Sequence, residues 1–390
     1  MRAWQALLLA GVAALVGLGF GNHVATIAAL ALIAVVLVGA LYRLFSVGDV
    51  RSERQIGADI VAWGATFMQQ ITLTNQSWVP IPAIRVVDQT TLPDHPGGYV
   101  TNLKARRSVT WDVAVPCRQR GRYQIGPVEA TMSDPLGLFP VTRRIGQTAS
   151  ILVLPRWVPL MRSALKLDGF LPGEARGRRR GEAPPTVNGV RQYIAGDSIA
   201  AIHWQASARN GQLMTKLFDP EVQTSLWLAL DLDGMLAPEV EDLLVTAATS
   251  LAMYGLRQVN LRVGLIASGA VPIILSAERG KKQHYRMQEV LAEAHTGSNA
   301  ALLTQMAALE RRLGPGQAVV LLTAQTPQQW GGWVALMSLQ GVAVRVVQVT
   351  TDESPHAQWA VPTIYVPLAF GDPAQETALM LCLEGRTRAS

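Results

Sequence analysis

Gly189-Val190-Arg191-Gln192-Tyr193-Ile194-Ala195-Gly196-Asp197-Ser198-Ile199-Ala200-Ala201-Ile202-His203-Trp204-Gln205-Ala206-Ser207-Ala208-Arg209 gathers two arginines, an aspartate, a histidine and two aromatic residues around a Gly-Asp turn. A segment this polar and this aromatic, set between two regions of different periodicity, is a joint between domains, a docking surface, or both. Before it lie an apolar N-terminus and a strand-rich stretch. After it, strand-like and helix-like runs alternate.

With 390 residues the chain is too long for one core, and several domains are expected. It is 49% hydrophobic and only 16% charged, with a mean hydropathy of +0.21, which points to a membrane part. A net charge of +6 is too modest to argue for nucleic acid. Cys117 and Cys382 are far apart and lack metal-ligand spacing, so neither a disulfide framework nor a zinc site is expected.

Two apolar runs, Ala6–Phe20 and Val24–Leu41, are separated by Gly21-Asn22-His23. Over 1–45 they predict a two-helix transmembrane hairpin, with Gly11, Ala13, Ala14 and Gly17 allowing close approach. Arg2 precedes the first run, and Arg43, Arg51 and Arg54 follow the second. Positive charge stays on the cytoplasmic side, which places both termini and the soluble bulk in the cytoplasm at the inner membrane. The competing reading is a cleaved leader followed by one anchor.

Over 46–160 the period changes to two, as in Ser108-Val109-Thr110-Trp111-Asp112-Val113-Ala114-Val115. Further strands are predicted at Phe67–Thr74, Ala83–Asp88, Gly121–Ile125, Val128–Met132 and Ser150–Leu154, giving an antiparallel β-sandwich. Gly126-Pro127 reads as a turn, and Asp134-Pro135-Leu136-Gly137-Leu138-Phe139 as a corner whose Leu and Phe fold back onto the sheet. A flexible linker spans 161–188, and its basic run Arg176, Arg178, Arg179 and Arg180 suits anionic lipid or an acidic partner. No aromatic residues interleave with it, so nucleic acid is not expected.

The signature segment, 189–223, leads into an α/β domain over 224–390. Thr224–Asp231 is a continuous apolar run ending in acid, as a buried parallel strand should be. Helices are predicted at Pro238–Leu256, Lys282–Ala294, Asn299–Leu313, Gln328–Leu339 and Ala374–Glu384. Strands are predicted at Leu261–Ala267, Pro272–Leu275, Ala318–Leu322, Ala343–Val349 and Thr363–Val366, the first two as a hairpin.

Val190-Arg191-Gln192-Tyr193, Gly196-Asp197, Ile202-His203-Trp204 and Ser207-Ala208-Arg209, with Lys216 and Glu221 downstream, resemble the signature of the bacterial domain of unknown function 58 family. Arg120-Gly121-Arg122-Tyr123, Asp134–Phe139 and the paired apolar N-terminus are similar to its pattern too. The resemblance implies a C-terminal von Willebrand factor A-like (Rossmann-type) domain. It also implies work alongside a MoxR-type AAA+ ATPase in assembling or activating a client protein. Ala200 and Ala201 stand where the family usually has arginine. A von Willebrand A-type metal site would use Asp-x-Ser-x-Ser; Asp231 and Asp233 are present, but Met235 replaces the last serine. Leu322-Thr323-Ala324-Gln325 lacks the carboxylate wanted there, and only Thr296 or Ser298 is left to supply a hydroxyl. No metal and no cofactor are therefore expected, with Asp231 and Asp233 capping the next helix or facing water.

In the signature segment, Tyr193 and Trp204 are expected to bury their rings at the seam between domains. Arg191 and Arg209 would pair with Asp197 or with carbonyls, Gly196 would make the turn, and Asp197 would cap the helix after it. The functional reading makes the same residues, with His203 and Lys216, a partner-docking surface. A hydrolase or transferase using His203 with Asp197 is the alternative. It lacks a Gly-x-Ser-x-Gly elbow, and no phosphate-cradling Gly-x-x-x-x-Gly-Lys motif is present.

Overall fold

A computed structural model describes residues 3–46, 50–160, 187–194, 202–218, 225–258, 261–297, 307, 310, 313, 317–350 and 363–367. The chain forms two compact units, Met1–Arg156 and Trp157–Ser390.

The first unit opens with helices α1 (Ala3–Gly19) and α2 (His23–Ser46). Gly21 takes a positive φ of 65° to reverse the chain, and Asn22 Oδ1 accepts from the Val24 and Ala25 amides at 3.0 and 3.3 Å, starting α2. α2 is long and apolar enough to cross a membrane, whereas α1 is apolar but shorter. Of the small residues, Gly17 makes the close approach: a Cβ there would collide with Thr26 Oγ1 and the Thr26 backbone. Ala6 and Ala10 continue that buried stripe, while Gly11 faces away from any neighbour.

Nine strands follow: β1 (Val50–Ile56), β2 (Ile60–Val61), β3 (Thr66–Asn75), β4 (Ile81–Thr90), β5 (Tyr99–Leu103), β6 (Ser108–Pro116), β7 (Gly121–Met132), β8 (Val141–Ile145) and β9 (Ala149–Val153). They form one sheet of order β1-β3-β6 and another of order β2-β9-β7-β4-β5, with β8 on β7. Most pairs are antiparallel; β2 and β9 are parallel. Alternation along β3 turns Phe67, Ile71 and Leu73 inward, and they share a core with Ile84, Val86, Ile125 and Val128 of the other sheet. Gly126-Pro127 is not a turn. β7 continues past it as a bulge: Asp88 pairs with Val128 and Thr90 with Ile125, so the register against β4 slips at Gly126-Pro127 itself, where Gly126 adopts φ 88°. Nor does the Asp134–Phe139 corner return to the sheet. Leu138 is buried against Ala6 and Val36 of the two helices, with Phe139 beside it, because those apolar faces are the nearer partner.

A buried ionic cluster joins the two sheets. The Arg54 guanidinium on β1 donates to both Asp88 oxygens on β4 and to Gln69 Oε1 on β3. Gln69 Nε2 donates to Asp88 Oδ2 at 3.1 Å and lies 2.9 Å from His95 Nε2. Burial pushes the Asp88 carboxyl up, but hydrogen bonds from His95, Arg54 and Gln69 and the Arg54 charge outweigh it and hold the group below its ordinary value.

In the second unit, Val158 and Leu160 already belong to the core of the C-terminal sheet, and the Val158 amide donates to Ser250 Oγ at 2.9 Å. Strands β10 (Val187–Gln192) and β11 (Met214–Phe218) flank the short helix α3 (Trp204–Asn210). Then come β12 (Ser225–Leu230), α4 (Pro238–Met253) with a π-helical turn at Tyr254–Gln258, β13 (Arg262–Ala267), β14 (Ile273–Glu278) and α5 (Lys281–Ala292). The described part ends with β15 (Gln317–Thr323), α6 (Pro327–Leu339), β16 (Ala343–Thr350) and β17 (Thr363–Pro367). The helix expected at Ala374–Glu384 and the basic run Arg176–Arg180 lie outside the described residues, as does most of Asn299–Leu313.

The sheet order is β14-β13-β12-β15-β16-β17, parallel except for the β13–β14 hairpin. Every residue of β12 is buried, because both sheet faces are covered. Leu226, Leu228 and Leu230 pack with Leu244, Ala248 and Leu251 of α4 and Met287 and Leu291 of α5. Trp227 and Ala229 pack on the opposite side with Trp330, Val334 and Met337 of α6. β12 leads by α4 to β13 on one flank, whereas β15 leads by α6 to β16 on the other. The strand order therefore reverses between β12 and β15, and the carboxyl ends of these two strands mark the place where sheets of this kind commonly hold ligands.

Candidate functional site

The signature segment folds as a ribbon stapled by a helix. β10 and β11 pair antiparallel, with Arg191 opposite Thr215 and Val190 opposite Lys216. Two strands alone are marginal in water. α3 and the residue before it supply the missing support: the His203 amide donates to Met214 O at 2.8 Å, and the Met214 amide donates to Ser207 Oγ, also at 2.8 Å. Gly211, at φ 67°, closes α3 in the left-handed conformation that helix ends favour.

His203 starts that helix. Its Nδ1 accepts the Ala206 amide at 3.1 Å, so the imidazole is an N-cap and carries its proton on Nε2. Asp197, for which the sequence suggests the capping role, lies outside the described residues together with Gly196. The Ser207 hydroxyl donates to the main-chain oxygen of His203 at 3.0 Å, not to the ring. Nucleophile and base are therefore not brought into contact at this pair. Arg191 donates to Gln192 O at 3.1 Å, consistent with a carbonyl partner.

Trp204 is 65% exposed on the unit that carries it. Side chains on a helix tilt toward its N-terminus, and Trp204 is the first residue of α3, so its indole projects beyond the helix end. Ile194 (64% exposed) and Leu213 are exposed as well, and Arg209 is exposed on the same short helix. Tyr193 is half-buried, its amide donating to Leu213 O at 2.8 Å.

At the strand ends, Asp231 neither caps α4 nor faces water. It is 5% exposed, and its Oδ2 accepts from Thr323 Oγ1 at 2.6 Å. Oδ1 accepts from the Asp233 amide at 3.2 Å and lies 3.4 Å from both Ser268 Oγ and Gln325 Nε2. Burial pushes this carboxyl above its ordinary value, only partly opposed by hydrogen bonds from the Thr323 hydroxyl and the Asp233 amide, while the Asp233 charge pushes it further. Among the described residues, the hydroxyls that reach Asp231 are thus Ser268 and Thr323, not Thr296, while Ser298 lies outside the described residues. β13 and β15 flank β12 on either side, so the residues after their last ladder positions stand level with Asp231. Thr296 is held elsewhere: its amide donates to Glu241 Oε2 at 2.9 Å, with His295 Nδ1 3.1 Å from Glu241 Oε1. As a donor set for a hard cation this cluster fits poorly. Both Asp231 oxygens already accept hydrogen bonds, and the exposed Met235 thioether is no ligand for such an ion.

The family model described as "Protein of unknown function DUF58" matches residues 189–385, just over half of the chain, and takes in both the signature segment and the strand-end cluster. "Uncharacterized protein YeaD" of Bacillus subtilis (strain 168) is 25% identical over 272 residues, 67% of this chain. The match spans 66% of that relative's length, slightly under two thirds. Among solved structures, the CARDB domain of the PF1109 protein from Pyrococcus furiosus is 15% identical, with a TM-score of 0.22 over 27% of this chain and 92% of that one. Part of the native alpha-2-macroglobulin of Escherichia coli is 15% identical, with a TM-score of 0.22 over 29% of this chain and 20% of that one.

Proposed function

The chain belongs to the DUF58 family, and from that premise we propose that it is a membrane-anchored, non-enzymatic interaction module that docks a MoxR-type AAA+ ATPase for assembly or activation of a client protein. α1 and α2 cross the inner membrane as a hairpin and leave both termini and the soluble units in the cytoplasm. The C-terminal sheet acts as a von Willebrand factor A-like domain whose metal site has been replaced by the hydrogen-bonded Asp231–Thr323–Ser268 cluster. Support for the anchor comes from the length and apolarity of α2 and the arginines after it.

The observation that carries the docking reading is the exposure of Trp204 at the start of a capped helix, with Arg209 exposed on the same helix and Ile194 and Leu213 exposed on the adjoining chain. Trp and Arg dominate binding hot spots, and a pre-formed support lowers the ordering cost of association. The test is copurification of the ATPase with the detergent-solubilised full chain in several nucleotide states. Trp204→Ala should lose the ATPase that the unaltered chain retains. Equal retention by both would count against the surface, and retention by neither against the partner.

A further inference from the structure

The loop Asp134-Pro135-Leu136-Gly137-Leu138-Phe139 turns most of its amides onto one residue. Pro135 and Pro140 have no amide to satisfy. The Phe139 amide donates to Asp134 Oδ1 at 2.7 Å, the Leu136 amide to Asp134 Oδ2 at 3.2 Å, and the Gly137 amide to Asp134 O at 2.9 Å. One buried aspartate thus takes up three loop amides, while Leu136 at the tip stands 61% exposed. An exposed leucine alone means little in water. Three of the four amides from Leu136 to Phe139 are bonded to Asp134, so the loop presents an apolar tip with few free donors, a form suited to an interfacial segment.

Its position agrees. A Cβ on Gly39 of α2 would lie 3.1 Å from the Phe139 ring, and Leu138 packs on Val36 and on Ala6 of α1. Gly39 and Val36 lie four and seven residues before Arg43, which at about 1.5 Å per helical residue is about 6–10 Å on the apolar side of that charge. Interfacial segments seat their apolar face at about this depth, ~5–10 Å into the headgroup–acyl boundary. One helical turn nearer the α2 end, the Tyr42 hydroxyl donates to the Pro80 carbonyl and holds the β3–β4 turn alongside. That turn carries Trp78, 75% exposed, with the Arg106 guanidinium 3.5 Å from its ring centroid. Lys104 and Arg107 are exposed next to Arg106. An amphipathic aromatic ring among basic residues suits the headgroup layer.

We propose that the Asp134–Phe139 loop, with Trp78 and Arg106 beside it, is a lipid-contact surface that sinks into the headgroup–acyl boundary of the bilayer and seats the β unit on it. The inference rests on α2 crossing that bilayer.

The test uses the full chain with Cys382→Ser, Cys117 being buried and its thiol pushed up by burial. Leu136→Cys, Leu30→Cys in mid-α2, and Gln147→Cys at the far end of β8 are each labelled with an environment-sensitive fluorophore. Each protein is reconstituted alone in phosphatidylcholine–phosphatidylglycerol vesicles with bromine at shallow or deep acyl positions. The Leu136 probe should be quenched best by shallow bromine, at ~5–10 Å, the Leu30 probe by deep bromine, and the Gln147 probe by neither. A Leu136 probe as unquenched as the Gln147 probe, with the Leu30 probe quenched, overturns the lipid contact and leaves the anchor standing. A Leu30 probe that meets no lipid overturns the anchor and this surface together. With no other protein present, quenching at Leu136 cannot come from a docking partner.

Discussion

His203→Ala separates a structural histidine from a chemical one. The side chain contributes one cap bond, Nδ1 to the Ala206 amide at 3.1 Å, to a helix of seven residues. A helix this short has no stability of its own, and loss of a cap costs about 1 kcal/mol, within a range of about 0.5–2. About 1 kcal/mol is roughly a five-fold change in a local opening equilibrium. Hydrogen exchange of the full chain in detergent, followed by mass spectrometry on peptides covering 204–210, should therefore show about five-fold faster exchange in His203→Ala. His203→Asp offers an oxygen acceptor at the same position and should restore protection. Unchanged exchange in His203→Ala, or failure of His203→Asp to restore it, would refute the capping role and return the imidazole to the list of candidate chemical groups.

Three other outcomes follow from particular contacts. Arg54→Met strands the buried Asp88 carboxylate and should cost about 3–5 kcal/mol in denaturant unfolding of the β unit. Because the folded Asp88 carboxyl is held below its ordinary value, its contribution is present above the unfolded pKa of about 3.9 and lost as pH falls through the folded one; Asp88→Asn should flatten that acid limb. Thr323→Val removes the 2.6 Å bond to Asp231, a loss of about 1.5–3 kcal/mol for a bond to a charged group. Asp231 is raised, so stability from that group is present below its unfolded pKa and lost as pH rises through the folded one; the cost of Thr323→Val should grow over that rise, as thermal unfolding at several pH values will show. Arg209→Glu, at an exposed position, should leave stability within about 0.5 kcal/mol while weakening retention of the partner.

β12 is legible because burial on both faces leaves nothing but apolar residues between Leu226 and Leu230. The half-buried strands β3 and β6 show their period of two for the complementary reason: one face of each meets the core. β1 is missed because one of its inward positions is Arg54, whose burial depends on Asp88 thirty-four residues further on. No local pattern announces that. Gly126-Pro127 has turn chemistry, yet it is taken up as a bulge within β7, opposite β4 on one side and at the handover from β9 to β8 on the other. At the site, residue type alone does not say that Trp204 stands exposed as the first residue of α3. Ser268 and Thr323 become partners of Asp231 only once three strand ends are set side by side. Had β13 and β15 been assigned as the neighbours of β12, the hydroxyls closing those strands would have been the signal.

Photo-crosslinking from position 204 in intact cells tests the docking surface most directly. With Trp204→p-benzoylphenylalanine in the full chain, an adduct with a MoxR-type AAA+ ATPase subunit is the predicted product, absent when the photoreactive residue replaces Gln147 instead. An ATPase adduct from Gln147 with none from position 204 would contradict the account.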